Sequence, residues 1–149
     1  MNKDLLTNIF DLHEIEKCIE IASAMREKSY APYSNYTVGA AALFASGTIY
    51  TGCNIENASY GGTICAERTA IFKGVSEGEK VLKMITVVGG RAGDAADFAY
   101  PCGFCRQVMR EFSEPENLYI IVAKNAKEWE AYTLEELLPH SFGPDFKEY

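Results

Sequence analysis

The sequence predicts an α/β protein in which one mixed sheet is covered by helices on both faces. Segments with helical periodicity alternate with short apolar segments, in the order α-β-β-α-β-α-β-β-α. Two of the apolar segments, 81–88 and 118–123, are continuous, which is typical of strands buried on both faces. A chain of 149 residues can bury one sizeable core, so we expect a single domain over 1–149.

The first three predicted elements are a helix and a β-hairpin. Apolar residues recur at three- and four-residue steps over 11–29, which predicts an amphipathic helix. The segment 30–34 contains proline and ends it. Residues 37–44 and 48–54 flank a short turn with Gly47, and they therefore predict the two strands of a hairpin.

The central elements are a helix, a buried strand and a second helix. Residues 65–73 have a helical pattern, and Gly74 is placed to end that helix. The apolar strand 81–88 is followed by the glycine pair 89–90, which we expect to stop it. A loop of small and polar residues then leads to a predicted helix over 103–112.

The last elements are two strands and a short helix. Residues 118–123 predict a buried strand and residues 129–133 a fifth strand. A short helix is expected over 134–138, where Pro139 stops it.

The charge balance and the apolar pattern exclude several classes of partner. The formal net charge is −7 and the pI is near 4.9, and no basic stripe is present. Nucleic acid, which is held mainly by Lys and Arg, is therefore not the expected substrate, and a small neutral ligand fits better. No apolar run approaches the length of a membrane span, and the N-terminus lacks the pattern of a signal peptide. We expect a cytoplasmic protein without a membrane partner.

The strongest local motif is a Cys-x-x-Cys pair, Cys102 and Cys105, which opens a predicted helix directly after Pro101. Soft thiolates suit zinc, and the two-residue spacer lets both sulfur atoms face one ion. The free N–H groups and the positive end of the helix dipole stabilise thiolates there. Alone, the pair could also be a redox dithiol, half of a zinc finger, or two cysteines without a special role.

Sequence context argues against the first two of these alternatives. A redox pair is expected after the first strand of a βαβ unit, whereas this pair follows the third of five predicted strands. A zinc finger needs a second ligand pair, and neither His13 nor His140 has the required spacing. Of the remaining cysteines, Cys18 and Cys53 lie where core packing is the expected role.

Cys65 is the candidate third ligand, because it opens another predicted helix. Glu67, two residues further on, can lean over a metal without binding it. Three cysteines with a free fourth position describe a catalytic zinc site, since structural sites are closed by four protein ligands. Taken singly, Cys65 could instead be a small buried residue, and Glu67 a solvated helix carboxylate.

Together, these motifs resemble the signature of zinc-dependent nucleoside and nucleobase deaminases, in which His or Cys and then Glu precede Pro-Cys-x-x-Cys. The chain is identified as a member of the cytidine/deoxycytidylate deaminase family, and it is most similar to its small homotetrameric type. The matching stretches are YAPYSNYTVGAA (30–41), TGCNIENASY (51–60), CAERTA (65–70), PCGFCRQV (101–108) and ELLPHSFGP (136–144).

This resemblance implies a three-layer α/β/α cytidine-deaminase-like fold with a five-stranded mixed sheet. It implies one Zn²⁺ per chain, held by Cys65, Cys102 and Cys105, with Glu67 as the proton shuttle. The implied reaction is hydrolytic deamination of cytidine and deoxycytidine to uridine and deoxyuridine with release of ammonia, as in pyrimidine salvage. Arg68 lies three positions after Cys65, on nearly the same helical face, and could drain negative charge from the thiolates. Helix spacing alone would also allow an exposed arginine.

Substrate-binding residues are implied by the same resemblance. Two side chains would hydrogen-bond the ribose 3′-hydroxyl, one would pack on the pyrimidine, and backbone groups would read the base edge. Two aromatic residues would reach the site of a neighbouring subunit in the tetramer. Asn54 and Glu56 are the residues implied for the ribose hydroxyl, and Tyr36 is the one implied for the pyrimidine. The backbone groups are those at Ala66 and the carbonyl of Tyr100. The residues that would reach the neighbouring subunit are Tyr60 and Phe142.

Three features depart from the family pattern, and one of them is the pair Gly61 and Gly62 in a loop that is usually less glycine-rich. Tyr36 stands where Phe is usual and adds a hydroxyl at the base pocket, and Tyr100 replaces the usual Ser or Thr before Pro101. Two alternatives to a cytidine deaminase remain. One is a deaminase of a related substrate such as blasticidin S. Deaminases of the blasticidin type typically lack Arg after Cys-Ala-Glu, and they lack the Asn-x-Glu pair. The other is a non-catalytic zinc-binding scaffold.

Overall fold

The computed structural model describes residue 1 and residues 3–145, and it contains one five-stranded mixed sheet with the strand order β2-β1-β3-β4-β5. The predicted domain 1–149 also includes residues 2 and 146–149, which lie outside the described residues. The elements are α1 (Lys3–Thr7), α2 (Leu12–Met25), β1 (Tyr36–Phe44), β2 (Ile49–Cys53), α3 (Ala66–Ser76), β3 (Leu82–Arg91), α4 (Gly103–Glu111), β4 (Tyr119–Ala123), β5 (Trp129–Thr133) and α5 (Leu134–Leu137).

The strand pairing combines an antiparallel and a parallel part, as the mixed sheet requires. β1 pairs antiparallel with β2 through the predicted hairpin and antiparallel with β3 on its other side. β3 and β4 are parallel, and α4 forms the connection between them. β5 closes the far edge antiparallel to β4. The predicted α/β class and five-stranded mixed sheet are confirmed.

Helices cover both faces of the sheet, so the fold has three layers. On one face, α1 and α2 bury side chains such as Leu6, Ile15 and Ile19 against the sheet. On the other face, α3, α4 and α5 pack on alternate residues of the same strands. The continuous apolar segments in the sequence arise because helices bury both faces of these strands. None of the helices in the described part of the chain has both the length and the apolar character needed to cross a membrane.

Three glycine positions do not end the elements that the sequence pattern assigned to them. α3 continues past Gly74, whose missing side chain lets the helix approach the ring of Phe44; a Cβ there would lie 2.3 Å from Phe44 Cε2. β3 runs through Gly89 and Gly90, because the loop that follows crosses this part of the strand closely. A Cβ on Gly89 would lie 2.7 Å from the Cβ of Ala99. These glycines are thus packing positions rather than terminators.

Two further boundaries differ from the sequence prediction. The helix expected over 11–29 ends as an α-helix at Met25 and continues as a single 3₁₀ turn over Arg26–Lys28. α1 was not predicted, because five residues carry too little periodicity to indicate a helix.

Candidate metal centre and substrate cavity

The candidate site lies where the N-termini of α3 and α4 meet. Cys65 and Cys102 are the residues that immediately precede these two helices, and both have an extended backbone. Such N-cap positions direct a side chain towards the unpaired N–H groups of the first helical turn. Cys105 lies in the first turn of α4 and is buried. Two helix starts therefore bring three cysteines together from positions that are 37 residues apart along the chain.

The three sulfur atoms have the spacing that a tetrahedral zinc ion requires. Cys102 Sγ lies 3.8 Å from Cys65 Sγ and 3.7 Å from Cys105 Sγ, and all three sulfurs lie within 4.8 Å of one another. With Zn–S bonds of about 2.3 Å, tetrahedral geometry sets the sulfur–sulfur distance at roughly 3.8 Å. The residues present therefore fit zinc, and three protein ligands leave one position open, as in catalytic rather than structural zinc sites.

Arg68 supplies positive charge at this cluster. Its Nη2 donates to Cys65 Sγ at 3.3 Å, and its guanidinium carbon lies 5.5 Å from the centre of the Phe104 ring. Hydrogen bonding from Cys105, and then from Arg68, lowers the pKa of the Cys65 thiol to about 5. These contacts favour the thiolate form of Cys65, and the thiolate is the form that binds a metal.

Among residues 1 and 3–145, Glu67 is the one carboxyl that the fold buries beside the sulfur atoms. It is 4% exposed, and its Oε2 accepts from Cys105 Sγ at 3.6 Å. Burial raises the pKa of Glu67 to about 7. A carboxyl that can hold or release a proton near neutral pH is suited to general acid–base work. The alternative of a solvated helix carboxylate does not describe this residue.

A cavity of about 470 Å³ opens from the cluster to the surface. Its volume is in the range of small-molecule sites, and its lining is mostly apolar with few polar groups. Cys65, Glu67 and Cys102 are among the residues that line it. The other lining residues are Tyr36, Val38, Asn54, Thr63, Ile64, Ala66, Val87, Phe98, Ala99 and Tyr100.

The residues expected to bind the sugar lie at or near this cavity. Asn54 lines it, accepting from the Val38 amide at 2.9 Å and donating to the Tyr36 carbonyl at 2.8 Å. The Glu56 carboxylate accepts from the amides of Tyr33 and Ser34, and it lines an adjoining depression rather than the cavity itself.

The two aromatic residues expected to reach a neighbouring subunit do not line the cavity of their own chain. Tyr60 is 77% exposed and lies edge-on to Tyr33, beside the depression that contains Glu56. Phe142 is 87% exposed, and Gln107 Nε2 donates to its backbone carbonyl. Both side chains are therefore available at the surface of the single chain.

The sequence analysis missed one wall of the cavity. Phe98 and Ala99 lie in the loop between β3 and α4, which was interpreted only as a connection. The available signal was the pair of aromatic residues Phe98 and Tyr100, spaced two apart directly before the Pro-Cys motif. Nothing in the local pattern indicated that this loop folds back over Gly89.

The fold and the site together define a class of protein. Three cysteines that could hold a metal ion at two helix N-termini, a buried glutamate beside them and a cavity lined by these residues are typical of zinc-dependent nucleoside and nucleobase deaminases. A family model described as the cytidine and deoxycytidylate deaminase zinc-binding region matches residues 12–122. The chain belongs to this family.

Comparison with curated relatives and solved structures agrees with the family. The chain is 42% identical over 136 residues to a cytidine deaminase of Sporosarcina psychrophila, covering 91% of this chain and 96% of the relative. It is 44% identical over 133 residues to a probable cytidine deaminase of Dictyostelium discoideum, covering 89% and 86%. The crystal structure of a cytidine deaminase from Burkholderia pseudomallei superposes with a TM-score of 0.74 at 43% identity, covering 85% of this chain and 97% of that one.

Proposed function

We propose that this protein is a zinc-dependent cytidine deaminase that converts cytidine and deoxycytidine to uridine and deoxyuridine with release of ammonia. The observation that carries the proposal is the position of Glu67, which is buried, lines the cavity and contacts the three-cysteine cluster. The names of the relatives, at 42% and 44% identity over most of the chain, support the same reaction.

In this mechanism Glu67 carries protons between three atoms. Zinc, when bound by the three cysteines, supplies Lewis-acid activation of a water molecule. Glu67 accepts a proton from the attacking water and delivers one to N3 of the cytosine ring. Glu67 takes a second proton from the hydroxyl group that has added to C4 and delivers it to the amino group, which leaves as ammonia while the C4 carbonyl forms. Burial of Glu67 excludes bulk water, so the proton goes to the substrate rather than to solvent.

Arg68 and the two helix N-termini hold the ligand set in place. Three thiolates around a divalent ion leave a net charge of −1, which would weaken activation of water. The hydrogen bond from Arg68 to Cys65 offsets part of this charge. Its function is therefore electrostatic, and we propose it as the charge partner of the site.

Substrate recognition is proposed to follow the family pattern. The ring of Tyr36 would pack on the pyrimidine, and the backbone at Ala66 and the Tyr100 carbonyl would read the base edge. Asn54 and Glu56 would bind the ribose 3′-hydroxyl. Within the described part of the chain, the side-chain oxygen and nitrogen of Asn54 each have one hydrogen-bond partner, so Nδ2 retains a second hydrogen and Oδ1 a second lone pair for a ligand.

We further propose a cytoplasmic homotetramer with shared active sites, acting in pyrimidine salvage. The high exposure of Tyr60 and Phe142 supports this assembly, because it leaves both side chains free to reach the site of a neighbouring subunit, as the family pattern implies. A reducing compartment suits a site built from thiols. We also treat residues 1–149 as one cytidine deaminase domain.

The two alternatives are not favoured. Burying the Glu67 carboxyl lowers the stability of the fold, and a non-catalytic scaffold has no function that would require it. A blasticidin-type substrate is opposed by the presence of Arg68 and of Asn54 with Glu56, and by the names of the relatives.

An ammonia-release assay with cytidine tests the proposal directly, and Glu67→Gln is the informative variant. The amide has nearly the same shape, so zinc content and fold should be retained. Activity should fall at least about 100-fold, because proton transfer is lost. A variant within a few-fold of the wild type would assign the proton transfers to another group, and absence of ammonia from the wild-type protein would refute the activity.

A further inference from the structure

A carboxylate outside the cavity joins the hydroxyl groups of two tyrosines, and the proposed reaction does not use these hydroxyls. Glu130 Oε2 accepts from Tyr100 Oη at 2.6 Å and from Tyr132 Oη at 2.5 Å. Glu130 does not line the cavity, whereas Tyr100 does. These three residues, here called the Tyr100–Glu130–Tyr132 cluster, connect the cavity wall to β5 at the edge of the sheet.

The strand register explains why this cluster can form. Glu130 and Tyr132 are two apart on β5, so their side chains lie on the same face of the sheet. That face carries α3 and α4, and Tyr132 packs against its core. Trp129 and Ala131 point to the opposite face, against α1 and α2. β5 therefore places the Glu130 carboxylate next to the segment that precedes α4.

The wall segment has other attachments besides the Tyr100 hydroxyl, since the side chains of Phe98 and Ala99 pack partly buried against the core. The Asp97 amide donates to the Gly89 carbonyl, and Lys124 pairs with the Asp97 carboxylate at 3.4 Å and lies over the Phe98 ring. Beyond these contacts, the Tyr100 ring contacts the rings of Phe98 and Tyr132, with centroids 6.5 and 6.2 Å away. Tyr100 remains 48% exposed, so ring packing alone does not immobilise it.

We propose that Glu130 is a positioning residue, which acts through the hydroxyl of Tyr100 to hold the cavity wall over 98–100 and so sets the fit of the nucleoside. This inference rests on the proposed function for the identity of the ligand. The hydroxyl hydrogen bonds, that from Tyr100 first, hold the pKa of Glu130 below its usual range, so the acceptor stays a carboxylate at neutral pH. Charge-assisted bonds of this kind are the stronger class of hydrogen bond.

The expected effect is on substrate binding rather than on the chemical step. Glu67 and the three cysteines are held by α3 and α4, which pack on the sheet without Glu130. Loss of the carboxylate should loosen the wall and leave the proton shuttle in place. We expect Glu130→Ala to raise KM for cytidine about three- to tenfold, with kcat within twofold and zinc content unchanged.

A graded set of variants separates positioning from a general structural role. Glu130→Gln keeps an oxygen that can accept a hydrogen bond, so its KM should lie between those of the wild type and Glu130→Ala. In a Tyr100→Phe background, Glu130→Ala should add little, because the hydroxyl through which it acts is already absent. Glu128→Ala, which removes an exposed acid two residues away, is the matched control and should leave KM unchanged.

Amide hydrogen exchange of a peptide covering 92–101 provides a readout that does not depend on activity. Exchange should be faster in Glu130→Ala than in the wild type. In the Tyr100→Phe background, adding Glu130→Ala should not increase exchange further. An unchanged KM with unchanged exchange would overturn the proposal. So would additive effects of the two substitutions, or a joint loss of kcat and melting temperature. If the wild type does not deaminate cytidine, the proposed function fails and the exchange comparison decides the positioning role.

Discussion

Gly52 controls how closely the helix that carries Glu67 approaches the sheet. It lies on β2 and is buried under α3. A Cβ at this position would lie 2.4 Å from the carbonyl oxygen of Ala66 and 2.5 Å from the amide nitrogen of Ala70. Both atoms belong to the backbone of α3, so no side chain can rotate away to relieve the contact.

The size of the effect of Gly52→Ala follows from these distances. Ordinary contacts of a Cβ begin near 3.4 Å, so α3 would have to move from the strand by about 1 Å. Overpacking of this kind costs about 1–3 kcal/mol of unfolding free energy. In a chain of this length, that corresponds to a melting temperature lower by roughly 3–10 °C. A shift of about 1 Å at Cys65 and Glu67 should also reduce kcat/KM by up to about 100-fold.

The assay combines thermal unfolding, zinc content and cytidine kinetics. Gly61→Ala is the matched control, because a Cβ on Gly61 would meet nothing within 4 Å. Its melting temperature should lie within about 2 °C of that of the wild type. If Gly52→Ala behaves like Gly61→Ala in both stability and activity, the close approach of α3 to β2 is not what positions the site.

Three further substitutions test the metal, the assembly and the sugar site. Cys102→Ala should remove zinc and activity together without a large loss of stability, since Cys102 is exposed; full activity of a zinc-free variant would contradict this expectation. Phe142→Ala should raise KM and weaken the oligomer. Size-exclusion chromatography gives the mass of the assembly, and cytidine kinetics give KM. An active monomer with the wild-type KM would exclude a cross-subunit role. Glu56→Ala should lower kcat/KM for cytidine and reduce the ratio of kcat/KM for cytidine to that for 3′-deoxycytidine. If the wild type deaminates free cytosine as fast as cytidine, the nucleoside assignment is wrong.

The sequence pattern, together with the family resemblance, predicted the candidate zinc ligands, the candidate proton shuttle and the order of the elements from α2 onwards. Cys102 and Cys105 lie within one helical turn, and Glu67 follows Cys65 by two residues, so their proximity depends on short-range geometry. The strands 118–123 and 129–133 were also predictable, because their apolar character reflects burial by layers on both faces.

Glycine was the main source of error in predicting the elements. Gly74, Gly89 and Gly90 were interpreted as terminators, which is the usual local meaning of glycine after an apolar segment. Each instead lies inside an element where another part of the chain approaches closely. A sequence pattern does not distinguish the two uses, because the difference lies in what packs against the missing side chain.

The sequence by itself determined which residues can bind zinc and carry a proton, whereas only the tertiary structure decided what surrounds them. The thiol that Cys65 contributes, 37 residues before Cys102, meets its partners because two helices start side by side above one sheet. The wall formed by Phe98 and Tyr100, and its attachment to Glu130, depend on a loop and a strand that are 30 residues apart. Such contacts follow from how the layers pack, and packing is a property of the whole core rather than of any local spacing.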